Sequence, residues 1–421
     1  MVSVSTTQLT SSKFAPLRDI TLERIVMQTI LCRIVCWCSV VGLISAVHAA
    51  EITPIASLGL GVSGNGAIVV GAAEGVGGDA GYILVSRWTS VGGVQTLGRG
   101  SAYDISQDGT TLVGERQVGD ASRPFRWTAE QGFTDLGILS GGNGFANAID
   151  VSSNGDVVVG LASQATGFRG FRWTPQSGMT ALGDLPGGFD YSQANSISAD
   201  GQITVGVSTG SSGDRAVRWI GANTTPLDMG LPPGLTGFTE AKGVSGNGEV
   251  IVGVWGDGIF TNEAFRWTLL GGYELLDDLP GGLLDSVATQ TNFDGSVIVG
   301  TGNPGDAVPD EAFYWTESTG MRSLREVLLD AGADLSAWRT LDTPTSLSDD
   351  GRVIVGTGTL IDGTVAGFRV CISVPEPTGL ALLLVGSILA FSKYRPGNLA
   401  QRENCRRQSR FVDSVQLSPL L

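Results

Sequence analysis

The pairing of arginine with tryptophan is the most chemically suggestive pattern in the chain. It occurs at Arg87/Trp88, Arg126/Trp127, Arg172/Trp173, Arg218/Trp219 and Arg266/Trp267, with Tyr314/Trp315 in the corresponding sixth place. An aromatic face beside a guanidinium can grip a sugar ring by stacking and hydrogen bonding. Arg126, Trp127, Arg172, Trp173, Arg218, Trp219, Arg266 and Trp267 are therefore a candidate ligand surface. The competing reading is structural: tryptophans fill the gaps between repeated units while each arginine pairs with an acid such as Asp184 or Asp278. Aromatics that recur in step inside strands usually belong to a core, and the structural reading is preferred.

Carboxylates form the second set. Asp108, Asp200, Asp294 and Asp350 recur at one position, which suggests calcium. Asn65, Asn154 and Asn247 fill the same position in other copies, and no copy has the spaced acids of a calcium loop. Hairpin geometry accounts for both residue types. Asp277/Asp278, Asp349/Asp350 and Glu240 are candidates for glycoside cleavage by carboxylates alone, which needs one unlike position among like repeats and a separation that only coordinates supply. The sequence shows no strong asymmetry of that kind. "LPGG" at 185–188 and 279–282 lacks the Lys-Ser/Thr of a phosphate loop and reads as a connection. The one histidine, His48, lies in an apolar leader, so the mature chain has no Ser-His-Asp triad, Cys-His dyad or histidine zinc site. No catalytic residue, metal or cofactor is expected.

These residues ride on a repeat. "VSGNGEVIVG" (244–253), "ISADGQITVG" (197–206) and "LSDDGRVIVG" (347–356) are copies of one unit. Its turn glycines are Gly66, Gly109, Gly155, Gly201, Gly248, Gly295 and Gly351, at spacings of 43, 46, 46, 47, 47 and 56. Within one unit, "FANAIDVS", "DVVVGLAS", "FRGFRWT" and "MTALGDL" read as four strands, joined first by "SNG" and later by "PQSG". Asn-Gly and Asp-Gly predict type I′ hairpin turns, whose central residues take positive φ. Four short antiparallel strands every ~40–50 residues is the size of a β-propeller blade, and seven copies predict seven blades. A β-solenoid, the alternative, would use a shorter rung. The last unit lacks a fourth strand before Pro375, whereas "EITPIASLG" (51–59) supplies a spare one at the start. Pairing the two would close a ring and remove exposed sheet edges. The long last spacing falls at 323–338, where Leu324, Val327, Leu328 and Leu335 follow helical spacing and predict a short helix.

Composition agrees with this class. Glycine is abundant (62 residues), charged residues make up 16%, and the formal charge is -15. Nucleic acid is excluded as a partner, because phosphate contacts need a basic face. Residues 27–50 join Arg33 to an apolar run and small residues, the pattern of a signal peptide cut after Ala49 or Ala50. Met27 is an alternative start. Cys371 is the one cysteine between the leader and the C-terminal apolar segment, so no internal disulfide can form.

With its units laid out, the chain resembles the HAF family of extracellular repeats, through "AFRWT" (264–268), "PFRWT" (124–128), "GFRWT" (170–174), "LGDLPGG" (182–188) and the recurring "DG..VG" pattern. The resemblance covers 51–372 and implies secretion and a repetitive β fold, with no defined activity. Residues 374–395 resemble a second, modular family, the PEP-CTERM sorting signal: Pro375, Glu376 and Pro377, an apolar stretch at 378–392, then Lys393 and Arg395. That resemblance implies a transient membrane anchor and an exosortase-type processing enzyme as partner. The apolar stretch would be about 22 Å long as a helix, short against ~30 Å of hydrocarbon. Residues 396–421 depart from the family, whose signals stop at the basic cluster; Arg402, Arg406, Arg407 and Arg410 favour a cytoplasmic end.

The expectation is therefore a leader (1–50), a seven-bladed all-β propeller (51–372), a sorting and transmembrane segment (373–395) and a basic, disordered tail (396–421). The chain is expected to be exported to the cell surface or matrix and to bind or scaffold exopolysaccharide, the partner implied by family context. The alternative is a secreted polysaccharide-cleaving enzyme that uses carboxylates only.

Overall fold

The computed structural model describes residues 50–55, 58–119, 121–259, 261–282, 284–305 and 310–372. The leader up to Ala49, the Pro375–Pro377 motif, the apolar segment, Lys393, Arg395 and the tail lie outside the described residues. Among those described, no helix is long and apolar enough to cross a membrane.

Valine-rich runs broken by glycine turns form antiparallel strands, and these assemble into seven four-stranded units, five of them separate sheets and two, the third and fourth, joined in one eight-stranded sheet. The third unit is representative, with strands Ala146–Val151, Val158–Gln164, Gly167–Thr174 and Gly178–Ala181. It joins the fourth unit through one parallel bridge, Phe168 to Tyr191. Each sheet packs on the next in sequence, and the seventh packs on the first, the arrangement of a β-propeller. Strand Glu51–Ile55 pairs antiparallel with Val365–Cys371 and supplies the outer strand of the seventh blade. The expected pairing thus holds for 51–55. Leu58 and Gly59 instead open the inner strand Leu58–Val62 of the first blade. The core lies between blades: Val113 of the second packs with Ala148, Val158 and Phe171 of the third, and Ile55, Val353 and Val355 of the seventh pack with Val62 and Val69 of the first. The phenylalanine of each "FRW" copy, and of its variants "FYW" (313–315) and "FRV" (368–370), fills that space. Phe125, Phe171, Phe265, Phe313 and Phe368 are at most 1% exposed, so each Phe→Ala change should cost about 3–5 kcal/mol. The expected helix forms at Leu324–Asp330, capped by the Ser323 hydroxyl and buried through Leu324 and Leu328.

Two glycine positions explain the "DG..VG" signature. In every blade the inner strand carries a bulge, seen for example between Ala241 and Gly243. The bulge brings its carbonyls against the second strand. A Cβ on Gly253 would lie 2.0 Å from the Glu240 carbonyl oxygen, and one on Gly206 would lie 1.9 Å from that of Gln193. The turn glycine has a different constraint. Gly155 and Gly201 have φ of 73° and 70°, and a Cβ there would meet Thr111 and Val157 of the preceding blade at 2.3 and 2.8 Å.

The turns themselves correct the type I′ expectation. The Asn or Asp before each turn glycine does not have positive φ; among the described residues Asp277 is the one non-glycine that does. The side chain acts instead. In the fourth blade Asp200 Oδ1 accepts from the Ser198 hydroxyl (2.6 Å) and from the Gln202 N–H (2.9 Å), while Ser198 Oγ accepts from the Ile203 N–H (2.9 Å). Asn154 accepts the equivalent two bonds in the third blade, which is why Asp and Asn interchange without a metal.

Gly155→Val and Gly201→Val should therefore destabilise to a similar degree, each by several kcal/mol, since each combines a β-branched residue at positive φ with overlap on the neighbouring blade. Thermal or urea denaturation of the two variants tests this. A large loss at one site and none at the other would show that the turns do not share one geometry.

Candidate functional site

The inner strands surround a central channel, and the seven turns ring one end of it, with backbone bonds among the described residues at six of the seven junctions, all but that between the second and third blades. Backbone bonds run from turn to turn: Gly64 N–H to Gln107 O (3.0 Å), Ser153 to Ala199 (3.0 Å), Ala199 to Gly246 (3.0 Å), Asn247 to Phe293 (2.9 Å), Phe293 to Asp349 (3.2 Å) and Asp349 back to Gly64 (2.9 Å). The space beneath this ring is a polar cavity of about 80 Å³.

Deeper in the channel a second cavity of about 270 Å³ is lined by Tyr103, Asn147, Ile149, Asn195, Gln290 and Thr345, among others. Asp104 and Asp150 line both cavities and separate them. These two acids are the asymmetry that inspection of the sequence missed. Five residues before the turn glycine, the blades carry Gly61, Asp104, Asp150, Ser196, Gly243, Gln290 and Ser346, so adjacent blades hold the acids and the other five do not. Aligning that column, rather than the turn, would have revealed them.

The oxygens of the pair are committed to the fold. Asp104 Oδ2 accepts from the Val151 N–H (3.2 Å), and Asp150 Oδ2 from the Ile197 N–H (2.8 Å), each reaching the next blade. Asp150 Oδ1 also accepts from Val151 (2.6 Å). Burial, then the charge and hydrogen bond of Asp150, push the Asp104 carboxyl well above the usual carboxylate range.

Above the pair, a hydrogen-bonded relay follows the wall. Tyr191 Oη donates to Gln193 Oε1 (2.8 Å), Gln193 Nε2 to Asn195 Oδ1 (2.7 Å), and Asn195 Nδ2 to Glu240 Oε1 (3.1 Å) and the Ala241 carbonyl (2.8 Å). Lys242 Nζ donates to Glu240 Oε1 at 2.7 Å and balances its charge. Across the channel Tyr103 Oη donates to Glu115 Oε1 (2.6 Å); burial and that carboxylate push the Tyr103 phenol up.

The Arg-Trp residues lie elsewhere and mostly hold blades together. Arg126 Nε donates to the Gly155 carbonyl of the next blade (2.9 Å), and Arg369 does the same to Gly66 (3.0 Å). Arg218 stacks over Trp267 of the next blade at 5.1 Å. Arg266 pairs with Glu274 in its own sheet (3.1 Å). Trp219 is fully buried, and Trp173 and Trp267 pack half-buried against inter-blade clusters. The expected acid partners differ. Asp184 pairs with Arg169 (3.1 Å) rather than Arg172, because Arg169 is the residue facing the connection after the fourth strand. Asp278 accepts from the Leu279 and Asp285 N–H groups (both 2.7 Å). Arg126 and Trp127, with Arg87, do line an open groove of about 750 Å³. The eight residues are spread over four blades and do not form one site.

The other acid candidates are likewise dispersed. Asp350 accepts from Ser348 and Arg352 in the seventh turn, Asp349 sits in the turn ring and lines the 80 Å³ cavity beneath it, and Glu240 belongs to the channel wall. Among the described residues no cluster of His, Cys, Asp and Glu could hold a metal.

No family model and no curated protein matches the chain. Similar solved structures include TolB from Acinetobacter baumannii (10% identity, TM-score 0.43), where 60% of this chain spans 62% of that one. Oligogalacturonate lyase from Vibrio parahaemolyticus is similar at 12% identity and TM-score 0.48, covering 79% of this chain and 93% of that one. The β-propeller domain of the Trilobed protease from Pyrococcus furiosus is similar at 10% identity and TM-score 0.48, over 76% and 95%. The propeller assignment stands on the strand pairing described above.

Replacement of Asp104 by Asn tests the reading of the pair. An acid whose folded pKa is raised binds more protons folded than unfolded. Its stabilising effect is complete below the ordinary carboxylate pKa near 4 and is lost as pH rises through the folded value. Asp104→Asn keeps the donor to Asp150 and the acceptor for Val151 without a titrating group. The variant should equal or exceed the parent in melting temperature at pH 8, with a flatter decline between pH 4 and 8. An unchanged pH profile would mean that Asp104 is ionised in the fold.

Proposed function

We propose that this chain is an exported propeller of the cell surface or extracellular matrix, with a binding or structural role toward polysaccharide. The observation that carries this reading is how the channel walls use their groups. The two channel acids are bonded to backbone of the next blade, whereas the open end of the channel presents neutral hydrogen-bonding side chains: Tyr103, Asn147, Asn195, Gln290 and Thr345. Such groups suit the hydroxyls of a sugar.

Export draws its support from the leader pattern and from the HAF-like repeats, and release to the surface from the PEP-CTERM-like tail with its exosortase-type partner. Ala50 adds a structural point. It is buried, and its N–H donates to the Ala331 carbonyl at the end of helix Leu324–Asp330 (2.9 Å). Ala50 thus belongs to the folded body, which favours a cut after Ala49.

A second reading, carboxylate-only glycan cleavage, is favoured by the placement of Asp104 and Asp150 together beside Tyr103 in one cavity. One experiment separates the two. Native gels cast with neutral or acidic polysaccharides should retard the purified protein in at least one neutral polymer, with no reducing ends released. Release of reducing ends that stops in Asp150→Asn would establish the enzyme instead. Neither retardation nor cleavage with any polymer would overturn both.

A further inference from the structure

The inner strand of the fourth blade, Gly187–Ile197, is the longest in the protein at 11 residues. Between Gly187 and Ser192 it leaves the ladder with its partner strand, and at Asn195 it carries the bulge common to all blades. Alternation along this strand places Phe189, Tyr191, Gln193 and Asn195 on one face, with Ser192 and Ala194 buried on the other. At about 3.3 Å per residue the four span roughly 20 Å. Phe189 is 83% exposed, Tyr191 and Gln193 are half-buried, and Asn195 is 9% exposed and lines the 270 Å³ cavity. The face therefore runs from an aromatic platform in solvent to an amide inside the channel. Phe168, 39% exposed, pairs through its backbone with Tyr191, and Phe145 packs edge-on against its ring at 5.8 Å, which widens the platform.

We infer that this face and the cavity below it form a binding site for the end of a neutral oligosaccharide chain, an inference that rests on the polysaccharide-binding reading above. Three observations select that ligand. Exposed aromatic faces followed by amides and a phenol match a sugar's two surfaces, its apolar C–H face and its hydroxyl rim. The cavity lies just below the ~300–1,000 Å³ usual for small-molecule pockets, room for one terminal ring rather than a folded ligand. The far end of the channel is narrower, with about 80 Å³ inside the ring of turns, which favours entry of a chain end from the wider side. Charge excludes an acidic sugar. Asp150 and Glu115 stand beside the cavity, and the one lysine of the wall, Lys242, is already paired with Glu240.

The chain end enters with its outer rings stacked on Phe189 and Phe168. Its terminal ring exchanges water for Asn195, Asn147, Tyr103 and Gln290. The Tyr191–Gln193–Asn195–Glu240 relay orients the Asn195 amide, whose two N–H groups go to Glu240 and Ala241, so Asn195 presents the remaining lone pair of Oδ1 as a fixed acceptor to the ligand.

The test is calorimetric titration of the purified protein with neutral hexasaccharides of the β-glucan, β-mannan and β-xylan types, and with an oligogalacturonate of equal length. At least one neutral hexasaccharide should bind and the oligogalacturonate should not. Asn195→Leu should weaken binding at least tenfold. Because Asn195 also donates to Ala241, Phe189→Ala is the second variant; its side chain is solvent-exposed, so the melting temperature should be unchanged while affinity falls about five- to tenfold. Trp127→Ala, in the separate groove between the first two blades, should leave affinity within twofold. Loss in Trp127→Ala with retention in Phe189→Ala and Asn195→Leu would overturn the channel site and leave the polysaccharide-binding reading standing. Binding of the acidic oligomer in preference to the neutral ones would overturn the choice of ligand. Failure of every saccharide to bind the parent would remove the site and the functional reading together.

Discussion

The structure depends on the fit of each turn glycine against the blade before it. Gly66 lies against Val353, Gly109 against Ile68, Gly155 against Thr111, and the series continues to Gly351 against Val297. At each of these places a hydrogen atom occupies the space that a methyl would fill, and the backbone takes a φ that favours glycine. The contact is made by one position in every unit, so it recurs between all neighbouring blades. Seven such steps bring Gly66 of the first blade back against Val353 of the last, and strand Glu51–Ile55 then covers the edge of the seventh sheet. Ring, channel and buried phenylalanines all follow from that repeated contact.

Function has to reside where the repeat permits differences. The phenylalanine, both glycines and the Ser-Asx turn are held by packing in the repeat, whereas the bulge residue and its neighbours face the channel and bond to the next blade only in some units, as Asp104, Asp150, Thr289 and Thr345 do. There the blades diverge: Tyr103, Ile149, Asn195, Lys242, Thr289 and Thr345 occupy the bulge in successive blades from the second onward. The second to fifth blades supply most of the hydrogen-bonding wall. The Arg-Trp pairs illustrate the reverse case. Their regular recurrence, which makes them conspicuous, reflects their use between blades, as Arg126 with Gly155 and Arg369 with Gly66 show.

Much of this fold was legible in the sequence. The glycine spacing gave the number of blades, the spare strand at 51–55 gave the closure, and the apolar spacing at 324–328 gave the helix. Turn type was misjudged, because Asn-Gly and Asp-Gly are as compatible with a side-chain-bonded turn as with type I′, and only Ser198, Asp200 and Gln202 in place decide it. The channel site was not legible for a geometric reason. Asp104 and Asp150 are 46 residues apart in the chain and become neighbours only when two inner strands stand side by side, and a bulge reverses which side chains face inward at Asn195.

Amide hydrogen exchange across the seven turns tests the central claim, that they form one closed ring. The N–H groups of Gly64, Ser153, Ala199, Asn247, Phe293 and Asp349 each bond to the next turn, so peptides carrying them should exchange slowly and at closely similar rates. The decisive comparison is between the junction of the last and first blades, reported by the Asp349 N–H that bonds to the Gly64 carbonyl, and an internal junction, reported by the Ala199 N–H that bonds to the Gly246 carbonyl. Equal protection at the two is the result this structure requires. Exchange at Asp349 that is faster than at Ala199 by orders of magnitude would show an open array.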